Sequence, residues 1–167
     1  MTLPAVDGWI IDFRTARAIF TSGSNERINH CVGMCASSQL HIPHCEEKLF
    51  KALPILKAPF LDQQNCVLEP DDNVFERCQA IDGHPVRQRL LQGNDAAIFM
   101  TAAALEKNFG VISDASSYSF ATVRELCDVY GVHNFSAANI SRRLKADTHT
   151  LPSLRPAAWK SVFTSMK

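Results

Sequence analysis

Apolar positions in this chain follow two rhythms. Short runs of consecutive apolar residues mark strands buried on both faces, and they alternate with stretches where apolar residues recur every three or four positions, as in helices packed on one side. The first run is Trp9, Ile10 and Ile11 in "GWIIDF" (8–13), stopped by Asp12. "RTARAIFTSG" follows with helical spacing at Ala16, Ile19 and Phe20 and ends at Gly23. "SNERINHCVGMCASS" is polar and rich in small residues and reads as helix and loop. Gln39 to Ile42 predicts a brief strand leading into a helix. Pro43 stands near that helix's start, where its missing N–H costs little; Leu49, Phe50 and Leu53 form its apolar face, and Pro54 ends it.

Residues 55–72 contain prolines and several acids and read mostly as loop. "DNVFERCQAI" (72–81) predicts a helix with an Asp N-cap, and "GHPVRQRLLQG" (83–93) a second short helix closed by Gly93. The clearest helical pattern is Asp95 to Lys107, with Ile98, Phe99, Ala102 and Leu105 on one face. "FGVIS" (109–113) is a short strand, "SYSFATVRELCDVYGV" an amphipathic helix ended by Gly131, and "VHNFS" a last strand. Strands alternating with helices imply an α/β domain with a mainly parallel sheet. Residues 1–140 are read as this domain. Residues 141–167 are read as a C-terminal helical tail whose Trp159, Val162 and Phe163 form a short apolar face, packed on the domain or binding a partner chain.

Charge sharpens the picture. Lys plus Arg and Asp plus Glu both number 17, giving zero net charge. Bulk attraction to nucleic acid is thereby excluded, so any such contact needs a local patch or a bound cation. Arg14 and Arg17 follow Asp12 directly, and Arg142, Arg143, Lys145, Arg155 and Lys160 make the C-terminal segment basic. The opening "MTLPAVDGWIIDF" lacks a secretory apolar core, and no stretch approaches the ~18–20 apolar residues of a membrane span, so a cytoplasmic protein is expected. The six cysteines then read as reduced thiols. The cluster His30, Cys31, Cys35, His41, His44 and Cys45 invites a zinc reading, against the plainer one of buried or incidental thiols. Neither a P-loop nor a Gly-x-Gly-x-x-Gly run is present, which argues against a nucleotide cofactor.

The informative chemistry is acidic. In a parallel α/β sheet, sites form beyond the C-terminal ends of the strands. Asp12 ends the first strand, Asp114 ends the 109–113 strand, and Asp95 opens the helix before that strand. That helix runs away from the rim and the strand runs back to it, so all three acids are expected at one edge. Each alone reads as a cap or a turn residue. Together they repel unless neutralised, and hard oxygen ligands suit Mg²⁺ or Mn²⁺.

"WIIDFRTARAIF", "HIPHCEEKLFKAL", "NDAAIFMTAAAL" and "FGVISDASS", in that order, resemble the PIN-domain ribonucleases, over about residues 8–136. The resemblance implies a three-layer Rossmann-like fold and divalent-metal endoribonuclease activity, of the kind found in toxins of toxin–antitoxin pairs, with RNA as substrate and an antitoxin protein or a second copy as partner. It implies Asp12, Asp95 and Asp114 as metal-site acids and a Glu on an early helix as a fourth. Glu47 is preferred for that place, with Glu46 close behind; on a helix the two point ~100° apart, so no more than one of them is expected to face the rim, and if neither does the site lacks its fourth acid. The pattern's further Asp after the strand is absent, since Ala115 and Ser116 follow Asp114, and Ser113 or Ser116 is left to assist by hydrogen bonding. The alternative function is a catalytically weakened PIN-like module that binds RNA or protein.

Overall fold

The computed structural model describes residues 5–62, 66–83, 95–114, 120–139 and 142. Five parallel strands form the central sheet: β1 (Gly8–Ile11), β2 (Leu40–Pro43), β3 (Val67–Leu68), β4 (Phe109–Ile112) and β5 (Asn134–Phe135). Their order across the sheet is β3-β2-β1-β4-β5. The helices are α1 (Phe13–Thr21), α2 (Asn25–Ala36), α3 (Glu47–Ala52), the short α4 (Pro54–Leu56), α5 (Asp72–Asp82), α6 (Asp95–Lys107) and α7 (Phe120–Tyr130). This is an α/β fold with an all-parallel sheet flanked by helices, compatible with a three-layer Rossmann-like architecture. Among the described residues no helix is long and apolar enough to cross a membrane.

Side-chain alternation in β1 builds the two apolar layers. Trp9 and Ile11 join α1 and α2 in one core with Ala16, Ile19, Phe20, Met34, Phe50 and Phe60. Ile10 joins Val111 of β4 in the other, with Val74 and Ile81 of α5, Ala97 to Ala104 of α6, and Val123 and Leu126 of α7. β1 can serve both layers because all four of its residues are buried and apolar or glycine. Its neighbour β4 must leave room: a Cβ on Gly110 would overlap the six-membered ring of Trp9, the residue directly paired with it.

The segment read as loop after Pro54 is mostly ordered. Pro54 occupies the first turn of α4 and starts a helix after ending α3, and a π-helical turn, Lys57–Leu61, continues it. The signal was the spacing of Leu56 and Phe60, both fully buried, with Phe60 ring-to-ring on Phe20 at 5.6 Å and on Phe50 at 5.0 Å. The same segment holds β3, whose two residues are too few to show a rhythm. Pro43 is the last residue of β2, not the start of a helix; a 3₁₀ turn, His44–Glu46, comes between them. Asp71 caps α5, accepting a hydrogen bond from Val74 N–H at 2.9 Å. The predicted helix at 83–93 and the tail beyond residue 142 lie outside the described residues.

Candidate functional site

The strand order reverses direction between β1 and β4, and the crevice beyond the C-terminal ends of strands at such a point is where open α/β sheets bind ligands. Register pairs Ile11 with Ile112, so Asp12 and Ser113 stand side by side just past the strand ends. Asp12 keeps extended backbone geometry and continues the alternation of β1, which carries it toward the same side of the sheet as Ile10, the side covered by α6. Asp12 is 1% exposed and Ser113 0% exposed, and the Ser113 Oγ is a buried oxygen with no hydrogen-bond partner among the described residues.

Asp12 occupies the N-cap position of α1, yet its side chain makes no capping bond. That work passes to Glu46, whose Oε1 accepts from Phe13 N–H at 2.9 Å across 33 positions of sequence. The 3₁₀ turn beyond β2 turns Glu46 inward, where it is 7% exposed, and leaves Glu47 half-buried in the first turn of α3. Burial pushes the Glu46 carboxyl up to about 7; the Phe13 N–H opposes this, the Asp12 charge adds to it, and the Arg14 charge opposes it. Two acids close enough to perturb one another, both nearly shut off from water, are an arrangement that costs folding free energy unless a proton or a cation resolves it.

α6 begins at this same edge. Phe99, one turn in from Asp95, packs its ring edge-on against His44 at 4.8 Å between centroids, which places the start of α6 beside the turn carrying Glu46. The Asp95 carboxyl itself lies outside the described atoms. Asp114 goes the other way. Alternation along β4 turns it toward the α1 side; its backbone N–H meets the Thr15 Oγ at 3.4 Å, and it lines a hollow of about 430 Å³ with Ala18, Ile19, Arg27 and Ser136. The structure thus brings Asp12 and Glu46 together beside Ser113 near the start of α6, and Asp114 does not complete a three-acid group with them. Among the described residues, no three His, Cys, Asp or Glu side chains form a group able to hold a metal ion.

Helical spacing ranks Glu46 and Glu47 alike, and the 3₁₀ turn before α3, which carries Glu46 inward, has no signature in the residues. Of the Cys and His cluster, Cys31 and Cys35 are buried in α2, with burial pushing the Cys31 thiol up to about 12, while Cys45 is exposed on the turn after β2. Cys35 instead faces Cys66, sulfur to sulfur at 3.9 Å, and Cys66 donates to the Leu40 carbonyl at 3.3 Å. These thiols sit as small apolar core groups. Arg17 lies over the Phe13 ring at 5.7 Å. Compared with protein-family models, with curated proteins and with solved structures, the chain gives no match in any of the three.

Proposed function

We propose that this chain is a divalent-metal-dependent endoribonuclease whose acidic edge, built from Asp12, Glu46 and Asp95 at the β1–β4 reversal with Asp114 alongside, holds Mg²⁺ or Mn²⁺. The supporting observation is the meeting of Asp12 and Glu46, two nearly inaccessible carboxyls that follow different strands, β1 and β2, where parallel sheets bind their ligands. The donor set fits the ion: Mg²⁺ usually takes one or two carboxylates and completes its shell with waters and substrate phosphates, so the pair suffices and a third acid is not required. When bound, the ion supplies the positive potential that a chain of zero net charge lacks, a water of lowered pKa and stabilisation of a departing oxygen. The chain's own residues do the rest. The Phe13 N–H holds the Glu46 carboxyl at the edge, so that ligand is preorganised. Ser113 places a hydroxyl beside Asp12, where it can donate to a substrate oxygen or a carboxylate. Arg14, whose charge already reaches Glu46, and Arg27 beside Asp114 give a polyanion its phosphate contacts on either flank.

The test is cleavage of a labelled single-stranded RNA with Mg²⁺, with Mn²⁺ and with EDTA. Wild type should cut only with metal, and Asp12→Asn and Glu46→Gln should each lower the rate by ~100-fold or more while remaining folded. Metal-independent cutting, or full activity in Asp12→Asn, would remove the proposal. A second reading, an RNA- or protein-binding module that does not cut, is favoured by the position of Asp114 away from Asp12 and Glu46. Metal-free RNA binding that survives Asp12→Asn, without cleavage, would select it.

A further inference from the structure

The acidic edge has an aromatic neighbour. A cavity of about 430 Å³ opens between the 3₁₀ turn after β2, α5 and the first turns of α6. Its walls include His44, Phe75, Ile98 and Phe99, and Gln79 and Asp82 stand at its polar side. Phe75 is 56% exposed, although it belongs to a helix whose other large apolar residues, Val74 and Ile81, are buried. Phe75, Gln79 and Asp82 lie at i, i+4 and i+7 and so form one stripe along α5 that faces this cavity. His44 opens the turn that Glu46 closes, which separates them by roughly 4 Å along the turn axis. Phe99 is one turn from Asp95.

We propose that this cavity seats one unpaired nucleobase of a single-stranded RNA, stacked on Phe75, with the adjoining phosphate delivered to the acidic edge. The size suits a small planar ligand, pockets for such ligands being mostly apolar with a few polar groups that fix orientation. Stacking on an exposed aromatic helps hold single strands without sequence readout, because every base presents a π-face. The position next to Glu46 and the start of α6 makes a base more fitting than a free apolar molecule, because a nucleotide carries its own phosphate to the acids. Asp82 accepts hydrogen bonds and does not donate them when ionised, so it favours bases with an exocyclic amino group over uracil. This inference rests on the nucleic-acid reading of the edge, and its test separates the two.

Binding of fluorescein-labelled oligoadenylate, oligocytidylate and oligouridylate is measured by anisotropy with Ca²⁺ in place of Mg²⁺, alongside cleavage with Mg²⁺. Phe75→Ala should weaken oligoadenylate binding roughly tenfold or more, and Phe75→Trp should hold it within about twofold. Asp82→Asn should narrow the preference for oligoadenylate and oligocytidylate over oligouridylate. Unchanged affinity in Phe75→Ala, equal wild-type affinity for a duplex of the same length, or no wild-type RNA binding would each overturn the base pocket. Cleavage that needs Asp12 and ignores Phe75 would sink the pocket and leave the nuclease. Binding that needs Phe75 without any cleavage would sink the nuclease and leave the pocket.

Discussion

Replacing Glu46 with glutamine should change how stability depends on pH. In the folded protein the Glu46 carboxyl is held near 7, against an ordinary 4.5. Between those values the unfolded chain has released a proton that the folded chain retains. Stability therefore falls as pH rises from about 4.5 to about 7 and stays low beyond it. At 1.36 kcal/mol per pH unit, the gap corresponds to roughly 3 kcal/mol lost above the folded value. Glu46→Gln cannot ionise, and its amide oxygen can still accept from Phe13 N–H, so this loss should be absent. The assay is urea unfolding of both proteins in EDTA from pH 5 to pH 8. Titrating groups remote from Glu46 are common to both and cancel in the difference, and the coupling to Asp12 is part of the effect measured. The glutamine variant should gain on wild type steadily with pH, reaching roughly 3 kcal/mol at the alkaline end, or roughly 6–12 °C in Tm for a chain of this length. Adding Mg²⁺ should shrink the gap, since a cation stabilises the ionised carboxylate of wild type alone. A flat difference curve, or one that slopes the other way, would refute the claim that Glu46 is buried at ordinary cost beside Asp12.

Two further outcomes test the packing that positions the edge. Gly110→Ala places a methyl group into the Trp9 ring and should destabilise by roughly 1–3 kcal/mol in urea unfolding, with β1 and β4 forced apart; a neutral result would mean the two strands pair differently. Phe50→Ala empties a fully buried site between Phe13, at 5.4 Å, and Phe60, at 5.0 Å, and should cost roughly 3–5 kcal/mol, seen as a lower denaturation midpoint.

The alternation of rhythms was enough to read α/β architecture, because a parallel sheet needs both faces covered and β1 and β4 say so with unbroken apolar runs. The C-terminal edge was legible for the same reason: Asp12 and Asp114 stop those runs. Which way each acid leans was not. That depends on strand parity beyond the last paired residue, which puts Asp12 with α6 and Asp114 with α1. Glu46 was hard to separate from Glu47 because its inward turn follows from Pro43 completing β2, a tertiary pairing with Leu68 that no local pattern announces. β3 and the Lys57–Leu61 turn escaped for a related reason: both are held by distant partners, Ile42 and Pro43 for the strand and Phe20 and Phe50 for the turn.

Because β1 lies between β2 and β4, the first strand synthesised finishes as the middle of the sheet. Its left-hand neighbour follows within one helical hairpin, but its right-hand neighbour emerges only after α6 has been made. Until then a growing chain carries Asp12 with one wall missing, and Ser113 has not yet left the ribosome. Such an ordering leaves the crevice unformed until β4 has been made, so a fragment ending before β4 lacks the Ser113 side of it.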